Sequence, residues 1–525
     1  MVEPMLETQY IIGVDIGTTS TKAEIFTTAG VGVVQHAIAY PLSSPEPDIQ
    51  EQDPDEIFEA VVSSVNSLMV QSQISPSNVI GLCFSSGMHS LILMDQDGKP
   101  LTQSITWADR RSAPWVKEIR EKHNGKAIYH RTGTPIHPMS PFVKLVWLRH
   151  EHPDLFQQAT KFISIKEYVL YRWFGEYVVD YSIANATGLF NIHSLDWDAE
   201  ALEVAGVQVE QLSQLVPTTH CLTDIRTEYA EQMGIAEQMP VIVGSSDGVL
   251  ANLGVGAISP GIVAVSVGTS GAVRTVLDHP KTDPEEKLFC YALTEKHWVV
   301  GGAVNNGGLI LRWVRDNLGD AEVNTANLLE ADPYNILTAI AATIPPGAEG
   351  LIFHPYLAGE RAPLWDTNAR GSLFGIALHH TKAHIIRAVL EGVVLNLKMV
   401  LDALYELTGS ISSIRATGGF ARSELWRQML ADIFNYEVIV PDSFESSCFG
   451  AALLGLFALQ QIPSLEETIH FMGDNQHHYP VDTHVESYQK VISVYNDLLQ
   501  IFQPAYERVA AMQAALEQDS RSQDD

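Results

Sequence analysis

The sequence predicts an α/β protein built from two domains. Three observations predict it. Short β-rich runs alternate with amphipathic helical stretches in both halves of the chain. A strand, a glycine turn and a second strand occur twice, through Val14-Asp15-Ile16-Gly17-Thr18-Thr19-Ser20 and again through Val265-Ser266-Val267-Gly268-Thr269-Ser270-Gly271. Finally, 525 residues with 46% apolar content exceed what one hydrophobic core normally holds.

Each glycine turn follows an apolar run (Tyr10, Ile11 and Ile12; Ile262, Val263, Ala264 and Val265) and leads into another extended stretch, residues 23–27 and 272–276. Glycine lets the backbone approach an anion with no Cβ in the way, and the neighbouring Thr and Ser supply N–H and hydroxyl donors. One such turn is an ordinary hairpin; two suggest a pair of phosphate-holding turns for one nucleotide. Between them, helical stretches at 57–70 and 113–122 flank a strand at 79–84. Residues 381–407 form a long helical pattern in which Ile386, Val389, Val393, Leu397 and Val400 recur at three and four, a stripe that belongs in a core. A third glycine element, Ala416-Thr417-Gly418-Gly419-Phe420-Ala421-Arg422-Ser423, follows a β-like run and enters a helix through Leu425, Met429 and Ile433, a surface on which a nucleotide can lie. The breaker-rich residues 254–261 mark the domain boundary, giving domains at 1–256 and 257–517 and a polar tail at 518–525 that is expected to fray.

Composition excludes several classes. The net charge of −31 arises from 63 acidic against 32 basic residues with no basic block, so a broad nucleic-acid or anionic-membrane surface is not expected. A phosphorylated ligand must therefore be held locally, by backbone amides, a few cations and a metal ion. Residues 1–10 carry two glutamates and no apolar core, so no signal peptide is expected, and no apolar stretch approaches the roughly 20 residues of a membrane helix. Cys83, Cys221, Cys290 and Cys448 lack C-x-x-C spacing, against a disulfide framework or zinc site. A reducing cytoplasm fits.

Asp15 precedes Gly17 by two residues. A carboxylate beside phosphate-binding amides is repulsive unless it faces a divalent cation, so Asp15 is the candidate Mg²⁺ partner and Lys22 a candidate phosphate cation. The competing readings are a strand-end carboxylate and a solvated lysine. Residues 17–22 are not a Walker A loop, because Thr21 stands where the residue before the lysine must be glycine.

The set Asp15-Ile16-Gly17-Thr18-Thr19-Ser20, Ser266-Val267-Gly268-Thr269-Ser270 and residues 417–432 resembles the two phosphate motifs and the adenosine motif of the FGGY carbohydrate kinases, within the actin, Hsp70 and sugar-kinase superfamily. Residues 140–148, 244–248 and 353–363 match further family motifs in order. The resemblance implies two ribonuclease H-like domains with an interdomain cleft that takes ATP, Mg²⁺ and a sugar. It implies nucleotide contacts at Gly17, Thr18, Thr19, Ser20, Lys22, Gly268, Thr269, Ser270, Gly418, Gly419 and Ser423. It assigns the general base to Asp247, which unaided reading would make a turn residue. A carboxylate in reach of a sugar hydroxyl can orient it and accept its proton during phosphoryl transfer.

The same resemblance places sugar contacts at Met88, His89, Trp107, Asp109 and Arg110, an aromatic plate with hydrogen-bonding groups beside it. The alternative is a partly buried Trp107 and an Asp109 paired with a nearby arginine. Ser90 stands where many xylulose kinases have glycine, while residues 132–141 and 301–308 are similar to the gluconokinase branch. The implied substrate is therefore D-gluconate, giving 6-phospho-D-gluconate, and its carboxylate needs donors among His89, His137, Arg110, Asn306 and backbone amides. Packing competes for His137. Lys144 and Lys166 fall in framework motifs and say little about substrate. The alternatives are a xylulose or other polyol kinase of this family and, in another class, a nucleotide-gated sugar-binding regulator without turnover. A homodimer is common in the family and is the assembly implied.

Overall fold

Ile11, Ile12, Val14 and Ile16 are all buried, so the first strand, Tyr10–Ile16, is covered on both faces and must lie inside a sheet. In the computed structural model, which describes residues 8–441, 446–473 and 475–524, that sheet has six strands. Their order is Cys221–Leu222, Val241–Ser246, Val79–Ser86, Tyr10–Ile16, Ser20–Thr27 and Gly32–Ala39. The three central strands are parallel, and the glycine turn joins the first two strands of the chain as an antiparallel hairpin that Gly32–Ala39 extends. The helix Pro54–Ser72 begins on Asp53, whose carboxylate accepts from Asp55 N at 2.8 Å, with proline in its first turn. It buries Ile57, Phe58, Val61, Val65 and Leu68 against Ile12, Val14, Leu82 and Phe84 of the sheet. Burial of side chains of this size contributes about 1.5–3 kcal/mol each.

The chain divides into two compact units that interleave in sequence. The first holds residues 1–260, 275–300 and 445–473; the second holds 261–274, 301–444 and 474–525. In the second unit the strand Ile262–Val267 runs parallel to Ser413–Thr417, which is parallel to Val438–Pro441; Asn475–His478 closes that edge antiparallel. The long helix Lys382–Thr408 buries Ile386, Val389, Val393, Leu397 and Val400, the stripe read from its spacing. The helix Glu424–Phe434 follows the third glycine element, again as the pattern predicts. The last helix, Tyr506–Asp524, continues into the polar tail, of which Asp525 lies outside the described residues. No helix among the described residues is long and apolar enough to cross a membrane.

Candidate functional site

The parallel strands Tyr10–Ile16, Val79–Ser86 and Val241–Ser246 all point the same way, so their C-terminal ends lie side by side. Open α/β sheets bind ligands outside that end of the strands. Here it carries Gly17, then Gly87 and Met88, then Asp247. Asp15 stands in register with Ser85 on one side and Lys22 on the other, and Ser85 is in register with Ser245. The fold thus brings the candidate metal ligand, a candidate phosphate cation and the strand that carries the candidate base into one row.

Asp15 is partly exposed, and its Oδ1 accepts from the Ser85 hydroxyl at 2.6 Å. In the turn, Gly17 N–H donates to Ser20 O at 3.0 Å, while Tyr40 donates its hydroxyl to Gly17 O at 2.6 Å and Gln52 donates to Thr18 O at 2.6 Å. Thr19 is exposed at the tip and Thr18 and Ser20 are half-buried. Trp107 donates its indole N–H to Thr18 Oγ1 at 3.0 Å. Gly17, Thr18, Gln52, Met88, Ser90 and Trp107 line a shallow pocket that is open to solvent.

Asp247 opens the helix Asp247–Gly254 directly after a buried strand. Gly244 makes that entry possible. Its φ is +74°, and a Cβ there would lie 1.7 Å from Phe84 O, so the strand can press onto its neighbour where the register shifts. Gly248 N–H donates to Asp247 Oδ1 at 2.6 Å, fixing the carboxylate at the helix start. Behind it, Lys166 pairs with Asp180 at 2.5 Å and donates to Ser245 O at 3.3 Å, and the Ser182 and Ser246 hydroxyls meet at 2.8 Å. Ser85, Gln52, Asp180 and Ser182 carry no motif signal of their own, and only the folded chain makes them supports.

The remaining first-unit candidates divide. His89 is buried at φ +69°, a conformation costly for a non-glycine residue, and its Nδ1 meets Ala186 O at 2.7 Å. Asp109 is buried and bonded to Arg111 Nε at 3.0 and 3.1 Å and to Gln50 N–H at 3.0 Å, the arginine-paired alternative. Burial pulls the Arg111 guanidinium down, but Asp109 and Glu51 outweigh it and raise it. Arg110 lies 3.8 Å from Asp48 at the surface. His137 is buried, and its Nδ1 accepts from Met139 N–H at 3.2 Å, closing its own turn. Lys144 is wholly buried: its ammonium donates to the carbonyls of His89, Thr106 and Met139 at 2.7, 2.7 and 2.8 Å. Burial pulls its amine down to about 7, against three acceptors that favour the charged form.

In the second unit the other glycine turn repeats the first. Gly268 N–H donates to Ser270 O at 2.9 Å, and Gly268 and Thr269 are exposed. The helix Gly308–Leu318 begins on this turn, with Gly308 N–H donating to Gly268 O at 2.7 Å and Leu309 N–H to Thr269 O at 3.1 Å. Ser266 is in register with Thr417, which sets the third glycine element beside the turn. Gly418 has φ +105°, and a Cβ there would lie 2.5 Å from Val267 O. Gly419 is exposed with open space around it, whereas Ser423 caps the next helix by accepting from Trp426 N–H at 3.3 Å. Asn306 is buried and gives its amide to Gly359 O at 2.7 Å and Glu360 Oε2 at 2.9 Å. Glu360 also accepts from Asn396 at 2.8 Å and from the N–H groups of Asn305 and Arg361; burial raises its carboxyl despite these donors.

Among the described residues, no group of three or more His, Cys, Asp or Glu side chains could hold a metal ion. A single strand-end carboxylate beside a candidate phosphate turn fits a hard divalent cation that keeps phosphates and waters as its other ligands.

Residues 10–254 match the FGGY family of carbohydrate kinases, N-terminal domain, and residues 263–459 match the family's C-terminal domain. The chain is 49% identical to the gluconokinase of Bacillus subtilis (strain 168), over 97% of this chain and 99% of that one. It is 50% identical to the gluconokinase of Bacillus licheniformis over the same shares. The xylulose kinase of Bacillus subtilis (strain 168) is 28% identical over 93% of this chain and 96% of its own length. A gluconate kinase structure from Lactobacillus acidophilus aligns at 37% identity and TM-score 0.90, covering 96% of this chain and all of that one. With both family domains matched in order and each carrying one of the two glycine turns, the chain belongs to the FGGY family of carbohydrate kinases.

Proposed function

We propose that this carbohydrate kinase transfers the γ-phosphoryl group of ATP to the terminal hydroxyl of D-gluconate, releasing ADP and 6-phospho-D-gluconate. The observation that carries the substrate is the 49–50% identity to two gluconokinases over nearly the whole of each chain, against 28% to a xylulose kinase. We assign the general base to Asp247. A sugar hydroxyl is a weak nucleophile; the carboxylate orients it and takes its proton as the new O–P bond forms and the bond to ADP breaks. The Gly248 N–H holds that carboxylate in place, and Lys166 and Ser182 hold the strand end behind it.

The glycine turns cradle phosphate oxygens with their N–H and hydroxyl groups. Gly17, Thr18, Thr19, Ser20 and Lys22 serve one turn and Gly268, Thr269 and Ser270 the other. Gly418 lets the turn press against Val267 and Gly419 leaves open space for adenosine, while Ser423 shapes the shelf as a helix cap. When bound, Mg²⁺ neutralises charge on the β- and γ-phosphates; Asp15 is the carboxylate that would contribute to its ligands, oriented by Ser85. Met88, His89 and Trp107 face the sugar. Asp109 acts by ordering the loop through Arg111, Arg110 offers a cation to the substrate carboxylate, and His137 and Asn306 hold their loops in shape. ATP chemistry and the buried thiols of Cys83, Cys290 and Cys448 fit a cytoplasmic enzyme, and the homodimer common in the family is the assembly proposed.

A coupled ADP-release assay with ATP and Mg²⁺ tests the reading against gluconate, xylulose, ribulose, glycerol and no sugar. Selective turnover of gluconate is expected. Preference for xylulose or glycerol would overturn the substrate and keep the chemistry, and ADP release no faster than the sugar-free rate with every sugar would overturn both.

A further inference from the structure

Lys144 sits on the helix Pro141–Glu151 among buried Phe142, Val143, Leu145, Val146, Trp147 and Leu148, a setting where an apolar side chain would pack without desolvating a charge. An ammonium has three N–H groups, and here each finds a carbonyl, at 2.7, 2.7 and 2.8 Å. The three carbonyls belong to three separate loops. One is that of His89 itself, whose left-handed backbone (φ +69°) fixes where the carbonyl points. Another is that of Thr106, immediately before Trp107, and the last is that of Met139, two residues after His137. Two of these loops supply Met88, Ser90, Thr106 and Trp107 to the pocket at the first glycine turn. Arg111, on the Thr106 loop, pairs with Asp109 and Glu51, while Arg120 donates to Ile136 O of the Met139 loop at 3.2 Å; neither spans the three loops as Lys144 does.

We propose that Lys144 is a positioning residue of the sugar site, tying the loops of His89, Trp107 and His137 into one wall so that the pocket is formed before sugar arrives. The proposal rests on the pocket being the sugar site of the kinase described above. Lys144 touches no substrate in this assignment; it acts through the backbone of the residues that do. Arginine cannot replace it, because a planar guanidinium does not present three tetrahedral N–H groups to three converging carbonyls.

The test compares the full-length protein with Lys144→Met and Lys144→Arg variants. Lys144→Met is expected to fold with a cooperative melt, to raise the gluconate KM at least tenfold, and to leave the ATP KM within twofold. Its amide hydrogen exchange should speed up at residues 87–90, 105–108 and 136–140 and stay at the parent rate in the helix Lys382–Thr408. Lys144→Arg should show the same loss and no rescue. A folded Lys144→Met protein with the parent's gluconate KM and unchanged exchange in the three loops would overturn the clamp. So would exchange accelerated evenly throughout the chain, the mark of general stabilisation. Should Lys144→Met fail to fold, Lys144→Arg decides: restored parent kinetics overturn the proposal. If the parent itself does not phosphorylate gluconate, the substrate reading falls and the exchange pattern, which needs no sugar, still decides for or against the clamp.

Discussion

The indole nitrogen of Trp107 donates to the hydroxyl oxygen of Thr18 across 3.0 Å, joining the aromatic residue of the pocket to the first glycine turn. Gln52 holds the carbonyl of the same threonine at 2.6 Å. Thr18 is therefore held at its hydroxyl and at its carbonyl by two residues that line the pocket. In the proposed assignment, the phosphate turn thus takes its orientation from the sugar side of the site.

Trp107→Phe keeps an aromatic plate and loses the N–H; Thr18→Val keeps the volume and loses the acceptor. Each is expected to lower kcat/KM for gluconate by about tenfold, because the turn loses its orientation. Together they should cost little more than either alone, with a coupling of about 1 kcal/mol in a double-mutant cycle. Steady-state kinetics of the four proteins measure it, and strictly additive losses would mean that the bond transmits nothing.

Asp247→Asn removes the proposed base and preserves shape. Turnover should fall by about 10²–10⁴-fold, while ADP affinity, read by calorimetry, stays at the parent value. Near-parent turnover from a folded variant would dismiss Asp247 as the base.

Much of this fold was legible because its signals are local. The turns at Gly17 and Gly268 and the stripe from Ile386 to Val400 each state their structure within a few residues, and the structure places them accordingly. What could not be read is long-range in sequence. Ser85 meets Asp15 from 70 residues away, and Gln52 meets Thr18 from 34 residues away. No spacing rule connects such pairs; parallel strand pairing brings Ser85 to Asp15, and Gln52 reaches Thr18 from a short antiparallel pair outside that sheet. Lys144 shows the same limit: its motif was visible, but three converging carbonyls appear only once three loops are folded. Asn306 and Glu360 form a buried network whose purpose a run of glycines and asparagines does not announce.

Asp15→Ala should raise the Mg²⁺ concentration for half-maximal activity several-fold. Ser85→Ala should move it in the same direction by less, since it removes only one orienting hydrogen bond, about 1 kcal/mol. Activity titrations at fixed ATP measure both. Unchanged Mg²⁺ dependence in the alanine variant at position 15 would refute the metal role.

Gly418→Ala forces a side chain into φ +105° and 2.5 Å from Val267 O. The strand and the proposed nucleotide shelf must shift apart, at about 1–3 kcal/mol of stability. The expected signature is a lower Tm and a raised ATP KM with the gluconate KM near the parent value. An unshifted Tm and ATP KM would mean that the shelf tolerates the strain.

Glu167 tests the electrostatics of the first unit away from catalysis. It is buried at the third position of the helix Ile165–Phe174, where its Oε2 accepts from Ser164 N–H at 2.6 Å and Ser164 Oγ accepts from Glu167 N–H at 3.3 Å, a reciprocal cap. Burial pushes its carboxyl from the usual 4.5 up to about 7, although the Ser164 and Ser213 hydroxyls pull the other way. Between those two values the folded protein keeps a proton that the unfolded chain has released. Stability from this group is therefore full below pH 4.5 and lost as pH rises through about 7, a swing of about 3 kcal/mol. Glu167→Gln retains both capping bonds and cannot ionise. Urea unfolding at pH 5 and pH 8 should find the two proteins close at the lower pH and the glutamine variant more stable at the higher. A variant less stable than the parent at pH 8 would mean that the ionised carboxylate is a net stabiliser of this cap.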